Sequence, residues 1–447
     1  MAYIPHTDEE RRAMLAAIGV GRMEDLYEAV PAEVRFPDLD LPEAISEMEI
    51  LQELQDLSEA NLDTRHFASF LGAGAYNHFI PSAVDAILRR AEFYTAYTPY
   101  QPEISQGTLQ AIFEYQSLIC NLTGMEVSNA SHYDGATALA EAVILALNHH
   151  RGARRKIVLS PAIHPHARQV VRTYMQGMEI EVVGGDRLEN DSRALAGLID
   201  DQTAMVAVQY PDFFGRVEDF TALGRAAHAA GALLCVSVNP LPLGLLKPPS
   251  AFDADVVVGE GQTLGIPLSF GGPYLGHFTT KKEFVRKMAG RLVGETLDSR
   301  GQRGFVLTLS TREQHIKREK ATSNICTNVA LMALASAVYL SVMGKQGVRR
   351  VAELCYHKAH YAAEKIGALP EYRIWNTGPF FHEFVVACPI PVAAINTALL
   401  DYQILGGYDL GQDYPELKNH MLLAVTEMNS REEIDALAAA LAEVGHA

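Results

Sequence analysis

Between residues 156 and 260 the chain alternates short apolar runs with helix-length stretches, and this alternation narrows the fold more than any other feature. The runs are KIVLSP (156–161), EIEVVGG (179–185), TAMVAVQYP (203–211), ALLCVSVNP (232–240) and ADVVVGE (254–260). They are rich in β-branched residues and largely lack a polar alternate, so both faces of each strand must be covered. Helical stretches such as 217–231, closing on Gly231, supply that cover. The pattern predicts an α/β fold with a mainly parallel sheet and functional groups at the C-terminal strand ends.

The flanks differ from this centre. Thr7, followed by Asp8, Glu9 and Glu10, predicts a capped helix that Gly19 ends. A second helix after Pro42 carries an apolar stripe of Ile45, Met48, Leu51, Leu54 and Leu57, to be covered by the chain's own core or by another subunit. After Ile325 a long apolar helix is expected to about Met343. A helix (349–367), strands near 371–375 and 380–388, a helix (391–401), a strand (420–428) and a closing helix (430–444) follow. At 447 residues, two or three domains are expected. The division predicted is a helical arm over 1–65, a large α/β domain over 66–325 and a smaller α+β domain over 326–447.

Composition removes several classes of function. With 37 basic and 54 acidic side chains the net charge is −17, which repels phosphate backbones and argues against nucleic-acid binding. Cys120, Cys235, Cys326, Cys355 and Cys388 lie far apart with no metal-ligand spacing, so no metal is expected and a reducing compartment fits. The N-terminus lacks an apolar signal core, and no stretch reads as long and apolar enough to span a bilayer. The expected location is cytoplasmic.

Five places carry candidate chemistry. In NASHYDGATALAEAVILAL (129–147), Gly135, Ala136 and Thr137 open a helix whose N–H groups and hydroxyl suit a phosphate dianion, although many helices begin this way. After KIVLSP, His164 or His166 is placed to stack on a flat cofactor ring, or to serve as an ordinary loop histidine. The strand ALLCVSV ends at Asn239. In enzymes of this architecture that use pyridoxal phosphate (PLP), a carboxylate at such a position pairs with the pyridine nitrogen, which a neutral amide cannot do. ADVVVGE runs into GQTLGIPLSFGGP (261–273), where a Schiff-base lysine is expected and Gln262 stands instead. Lys247, Lys281 and Lys282 are poorly placed to substitute for it. In STREQHIKREKATSNICTN (310–328), Arg312, His315, Lys317, Arg318 and Lys320 precede Thr322, Ser323 and Asn324. That reads as a basic face and a cap for the next helix.

Taken together these segments resemble a known family. FLGAGAYNHFIPSAVDAILRRAEFYTAYTPYQPEISQGTLQAIFEYQSLICNLTGMEVSNAS (70–131), LLKPP (245–249), FGGPYLG (270–276) and STREQHIKREKATSNICTN (310–328) are similar to the N-terminal half of glycine dehydrogenase (decarboxylating), the P-protein of the glycine cleavage system. The likeness covers nearly the whole chain, and FYTAYTPYQPEISQG (93–107) is specific to it. In that family, long forms fuse two PLP-type halves and short forms split them into two subunits, and only the second carries the lysine. The resemblance implies a fold-type I, aspartate aminotransferase-like domain in an α-type subunit 1. Its Gln262 agrees with lysine-less first halves, and its Asn239 departs from their Asp. It further implies PLP held covalently by a lysine-bearing subunit 2 and not by this chain, in an α2β2 assembly. Glycine and a lipoylated H-protein are the implied substrates, and this chain alone is expected to be inactive. Because sites in this fold lie at subunit interfaces, Tyr94, Tyr97, Thr98, Tyr100 and Gln101, with Lys320, Thr322, Ser323 and Asn324, are expected to complete the partner's site. Two other readings stand beside it. One is a structural or regulatory pseudoenzyme; the other is an NAD-dependent dehydrogenase, which needs a G-x-G-x-x-G turn that this chain lacks.

Overall fold

The apolar runs fold as strands, and all but the Glu181–Val183 run are buried along most of their length. In the computed structural model, which describes residues 6–185, 187–188 and 191–445, the strands are β1 (Val127–Ser128), β2 (Lys156–Leu159), β3 (Glu181–Val183), β4 (Thr203–Tyr210), β5 (Leu233–Val238), β6 (Val256–Glu260) and β7 (Gly276–Thr280). They form a sheet of order β1-β7-β6-β5-β4-β2-β3, in which β7 alone runs antiparallel to its neighbours. Every residue of β4 except Gln209 is buried, as double-sided cover requires. On one face the Gly135–His149 and Pro165–Met175 helices contribute Leu139, Val143, Leu147 and Val171 to the core. On the other, Leu223 and Ala227 of the Thr221–Ala229 helix pack with Val206, Val236 and Val257.

That last helix is shorter than the predicted 217–231. Val217 is extended, its N–H donating to Pro379 O at 2.9 Å, and the Asp219 carboxylate accepts from the Thr221 N–H at 2.9 Å to start the helix. The long helix likewise begins later, at Ala330, and continues to Gly367 with non-helical backbone at Gly344. Residues 322–329 precede it as non-helical chain, so Thr322, Ser323 and Asn324 do not cap it. The Val329 N–H is taken instead by Ser131 Oγ at 3.1 Å. By length and composition alone this helix is apolar enough to cross a membrane, unlike the sequence expectation, a test that the core helix of a globular protein also passes. Its Ala333, Ala337, Tyr339 and Val351 pack in a core with Tyr115, Ile119 and Leu264.

Residues Met1–Leu62 and Asp63–Ala447 are separate compact units. In the first, the Asp8–Ile18 helix has the expected Thr7–Glu10 capping box and Gly19 end, while the second helix spans Glu47–Glu59 behind a Ser46–Glu49 box, leaving Ile45 outside. No described helical element of this unit has a buried residue, and Met48, Leu51, Leu54 and Leu57 are exposed. In the second unit the C-terminal residues form an antiparallel sheet from Arg373–Ile374, Glu383–Ala387, His420–Ala424 and Tyr408–Asp409, in that order. The Arg431–Val444 helix closes its core through Ile434, Leu437 and Leu441.

Candidate functional site

The strand ends converge on a cleft of about 300 Å³. His164 and His166 follow β2, Gln209 is the penultimate residue of β4, Asn239 follows β5 and Glu260 closes β6. Residues 73–76 and 134–136 and Tyr274 also line it. The cleft lies at the strand ends, as the sheet pattern predicts, and most of its polar groups are engaged with the chain itself, while Asn239 Nδ2 is buried without a hydrogen-bond partner.

Gln262 is buried, and its amide is saturated. Nε2 donates to Tyr76 O at 2.9 Å and to Ile266 O at 2.8 Å, while Oε1 accepts from the Tyr76 N–H at 2.9 Å. The residue at the lysine position thus pins the 70s loop to the strand ends. That loop is held a second time by Glu383, which accepts from the Ala73 N–H and the Tyr76 hydroxyl, each at 2.8 Å. Burial pushes the Glu383 carboxyl up to about 7, against the pull of those two donors.

At the helix start, Gly135 approaches β6 so closely that a Cβ there would lie 2.7 Å from Glu260 N. The Gly135 N–H donates to Glu260 Oε2 at 3.0 Å, and Glu260 Oε1 accepts from the N–H groups of Gln262 (3.1 Å) and Leu275 (2.9 Å). A carboxylate of the chain therefore takes the place at this helix N-terminus that suits a phosphate oxygen. Burial raises Glu260 to about 7, and the three N–H bonds oppose that rise. Thr137 turns inward as well: its N–H donates to Asp134 Oδ1 at 2.8 Å and its hydroxyl to Asp134 O at 3.1 Å. Of the predicted nest, Gly135 and Ala136 line the cleft, and Thr137 is part of the helix cap.

His164 caps the Pro165–Met175 helix, its Nδ1 accepting from the His166 N–H at 3.1 Å, and its Nε2 lies 2.8 Å from Ala73 O. Burial, the larger influence, lowers its pKa, which keeps the imidazole neutral. Asn239 Oδ1 accepts from the Thr263 hydroxyl at 3.0 Å and the Leu241 N–H at 3.2 Å. These residues do not fit covalently held PLP. No amine stands at 262, no anion at 239, and the Glu260 carboxyl already takes the Gly135 N–H that a phosphate oxygen would use.

The second set of predicted residues lies elsewhere in the same unit and is far more open. Tyr94 ends a short Ala91–Tyr94 helix rather than lying in a loop, and residues 95–105 are irregular. Tyr94 and Tyr97 are 69% and 86% exposed, and with Thr98 they line a groove of about 240 Å³ that Thr327 and Asn328 share. Thr322 and Ser323 line a narrower hollow with Arg291, Arg312 and Glu313. Ser323 Oγ donates to Glu141 Oε1 at 2.6 Å, whose carboxyl burial raises to about 7. Gln101, Lys320 and Asn324 are exposed and line neither hollow.

The profile of the glycine cleavage system P-protein family matches residues 1–441. The chain belongs to that family. A P-protein relative from Thermomicrobium roseum, named probable glycine dehydrogenase (decarboxylating) subunit 1, is 57% identical over 99% of each chain. One of the same name from Brevibacillus brevis is 51% identical over 100% of this chain and 99% of the other. A crystal structure of glycine decarboxylase (P-protein) of the glycine cleavage system, in inhibitor-bound form, superposes with a TM-score of 0.91 at 44% identity, over 99% of this chain and 100% of that one. A Burkholderia pseudomallei sphingosine-1-phosphate lyase superposes with a TM-score of 0.66 at 14% identity, over 93% and 94% of the two chains; likeness that distant shows the fold alone. The P-protein fold is thus that of fold-type I PLP enzymes, as the resemblance implied.

Sequence reasoning missed three residues that organise this P-protein family member. Glu260 was legible as the acidic last residue of an apolar strand two positions before Gln262. Glu383 and Arg291 carried no local signal, because their partners lie 307 and 191 positions away.

Proposed function

We propose that this chain is subunit 1 of a glycine dehydrogenase (decarboxylating), working with a lysine-bearing subunit 2 that holds PLP covalently. In that assembly glycine loses CO2 and its remaining carbon bonds to a lipoyl sulfur of H-protein as the disulfide opens. The bound cofactor supplies the electron sink for this chemistry. Two findings support the reading. Relatives of that name match end to end, and the lysine position of this chain is closed by a saturated Gln262.

The contribution of this chain would be the rim. Tyr94, Tyr97, Thr98, Tyr100 and Gln101, with Lys320, Thr322, Ser323 and Asn324, offer hydroxyls, amides and a cation that orient partner-bound groups and exclude water. Residues 1–65 would act as an arm, 66–325 as the large domain and 326–447 as the small one, in a cytoplasmic α2β2 assembly.

The test is steady-state glycine decarboxylation by the assembled complex carrying Tyr97→Phe or Thr322→Ala here. Loss of a hydrogen bond to a charged group costs about 1.5–3 kcal/mol, so a roughly ten- to hundredfold fall in rate or PLP retention is expected with assembly intact. Assembled variants with unchanged kinetics would favour a purely structural or regulatory subunit.

A further inference from the structure

Arg291 is 3% exposed and stands where three otherwise separate segments meet. One guanidinium nitrogen, Nη2, donates to the Tyr100 hydroxyl at 3.0 Å, and the group lies 5.4 Å over the same ring. The other, Nη1, donates to Thr327 Oγ1 at 2.9 Å. Its Nε is 3.6 Å from Glu313 Oε2, a carboxylate only 7% exposed. His315 joins from the far side, 3.6 Å from Glu313 and with its ring 5.9 Å from that of Tyr100. Tyr100 lies at one end of the tyrosine segment and Thr327 is next to Asn328 in the groove beneath Tyr94 and Tyr97.

We infer that Arg291 is a positioning residue that locks the 94–101 segment against the 320–328 segment, so that both face the partner's site in one register. This rests on the reading that these segments complete that site. The argument is geometric. Residues 95–101 and 321–328 are irregular, so their mutual placement has no ladder or helix to set it. A planar, always-charged fork can hold Tyr100 and Thr327 at once while balancing buried Glu313; a single ammonium on a flexible stem cannot reach both in fixed geometry.

The experiment is a double-mutant cycle in the assembled complex, reading kcat and KM for glycine. Arg291→Lys keeps the charge beside Glu313 and loses the fork, and Tyr100→Phe removes the hydroxyl that accepts from Arg291. Each is expected to lower kcat about tenfold with KM for glycine little changed, as loss of a positioned group affects the transition state more than ground-state binding. The double variant should be no worse than Arg291→Lys alone, since both break the same contact. Additive losses, or an unchanged kcat in Arg291→Lys, would falsify the clamp. Should Arg291→Lys fail to assemble, Tyr100→Phe and Thr327→Val decide: normal kcat in both overturns the inference. Tyr97→Phe and Thr322→Ala, which leave the clamp bonds intact, separate the two ideas. If they too are silent the rim reading itself falls; if they impair turnover while the clamp variants do not, only Arg291 loses its role.

Discussion

In the strand-end cleft, Gln262 makes three hydrogen bonds to backbone and Glu260 accepts three more, so these two side chains are bonded within the chain. Along the tyrosine groove, Tyr94 and Tyr97 stand more than two-thirds exposed, and the nearby Tyr100 is held by Arg291. Both regions look like polar site residues in sequence. One has turned its polar groups inward and become framework, while the other keeps them at the surface. Polar side chains in a cleft therefore mark a working site only when their bonds are left for something else.

The comparison predicts that cleft variants change stability and rim variants change turnover. The largest effect is expected for Gln262→Leu, which leaves the Tyr76 N–H, Tyr76 O and Ile266 O without partners. Stability should fall by about 3 kcal/mol, measured by urea unfolding, since an unsatisfied buried group costs about 1–3 kcal/mol. A loss under about 1 kcal/mol would mean that the amide is not structural.

Next comes the pH dependence. Glu260, Glu383 and Glu141 each sit near 7 rather than at the ordinary 4.5. A carboxyl whose folded pKa is raised favours the folded state when protonated. Its contribution is complete below about 4.5 and is lost as pH rises through about 7. Unfolding midpoints should therefore decline over that window, and Glu260→Gln should reduce the slope by about one proton. An identical slope in wild type and variant refutes the assignment for Glu260.

Smaller still is Tyr97→Phe, expected to move stability by less than about 0.5 kcal/mol, because an exposed hydroxyl is hydrated either way. A larger destabilisation would show this rim residue to be framework, like Gln262. At the bottom of the scale, Gln262→Lys should confer no glycine decarboxylation on the isolated chain. Asn239 still lacks the anion and Glu260 still holds the Gly135 N–H. Borohydride reduction of the unsubstituted chain with PLP, followed by peptide mapping, should find no stoichiometrically modified lysine; a labelled lysine between 240 and 290 would break the comparison.

Helix ends were less legible than strands. The run ALLCVSV is buried whatever surrounds it, so its apolarity alone places it in the sheet. Residues 322–324 have the composition of a cap, yet the helix starts at Ala330 because Ser131 and Ala130, nearly two hundred positions earlier, hold Val329 and Asn328 in place. Local propensity proposed the cap and long-range hydrogen bonds overruled it.

From the sequence alone came the parallel sheet, the location of the cleft, the absence of a lysine at position 262 and the identity of the exposed tyrosines. Those are matters of hydrophobic period and of which functional groups a residue carries, and both are properties of the residues themselves. That Glu260 accepts from the N–H at the start of the Gly135–His149 helix, that Gln262 is a structural pin, and that Arg291 joins Tyr100 to Thr327 were decided only in three dimensions. A hydrogen bond depends on where two groups are brought, and strands far apart in the chain bring them together only once the whole core has packed.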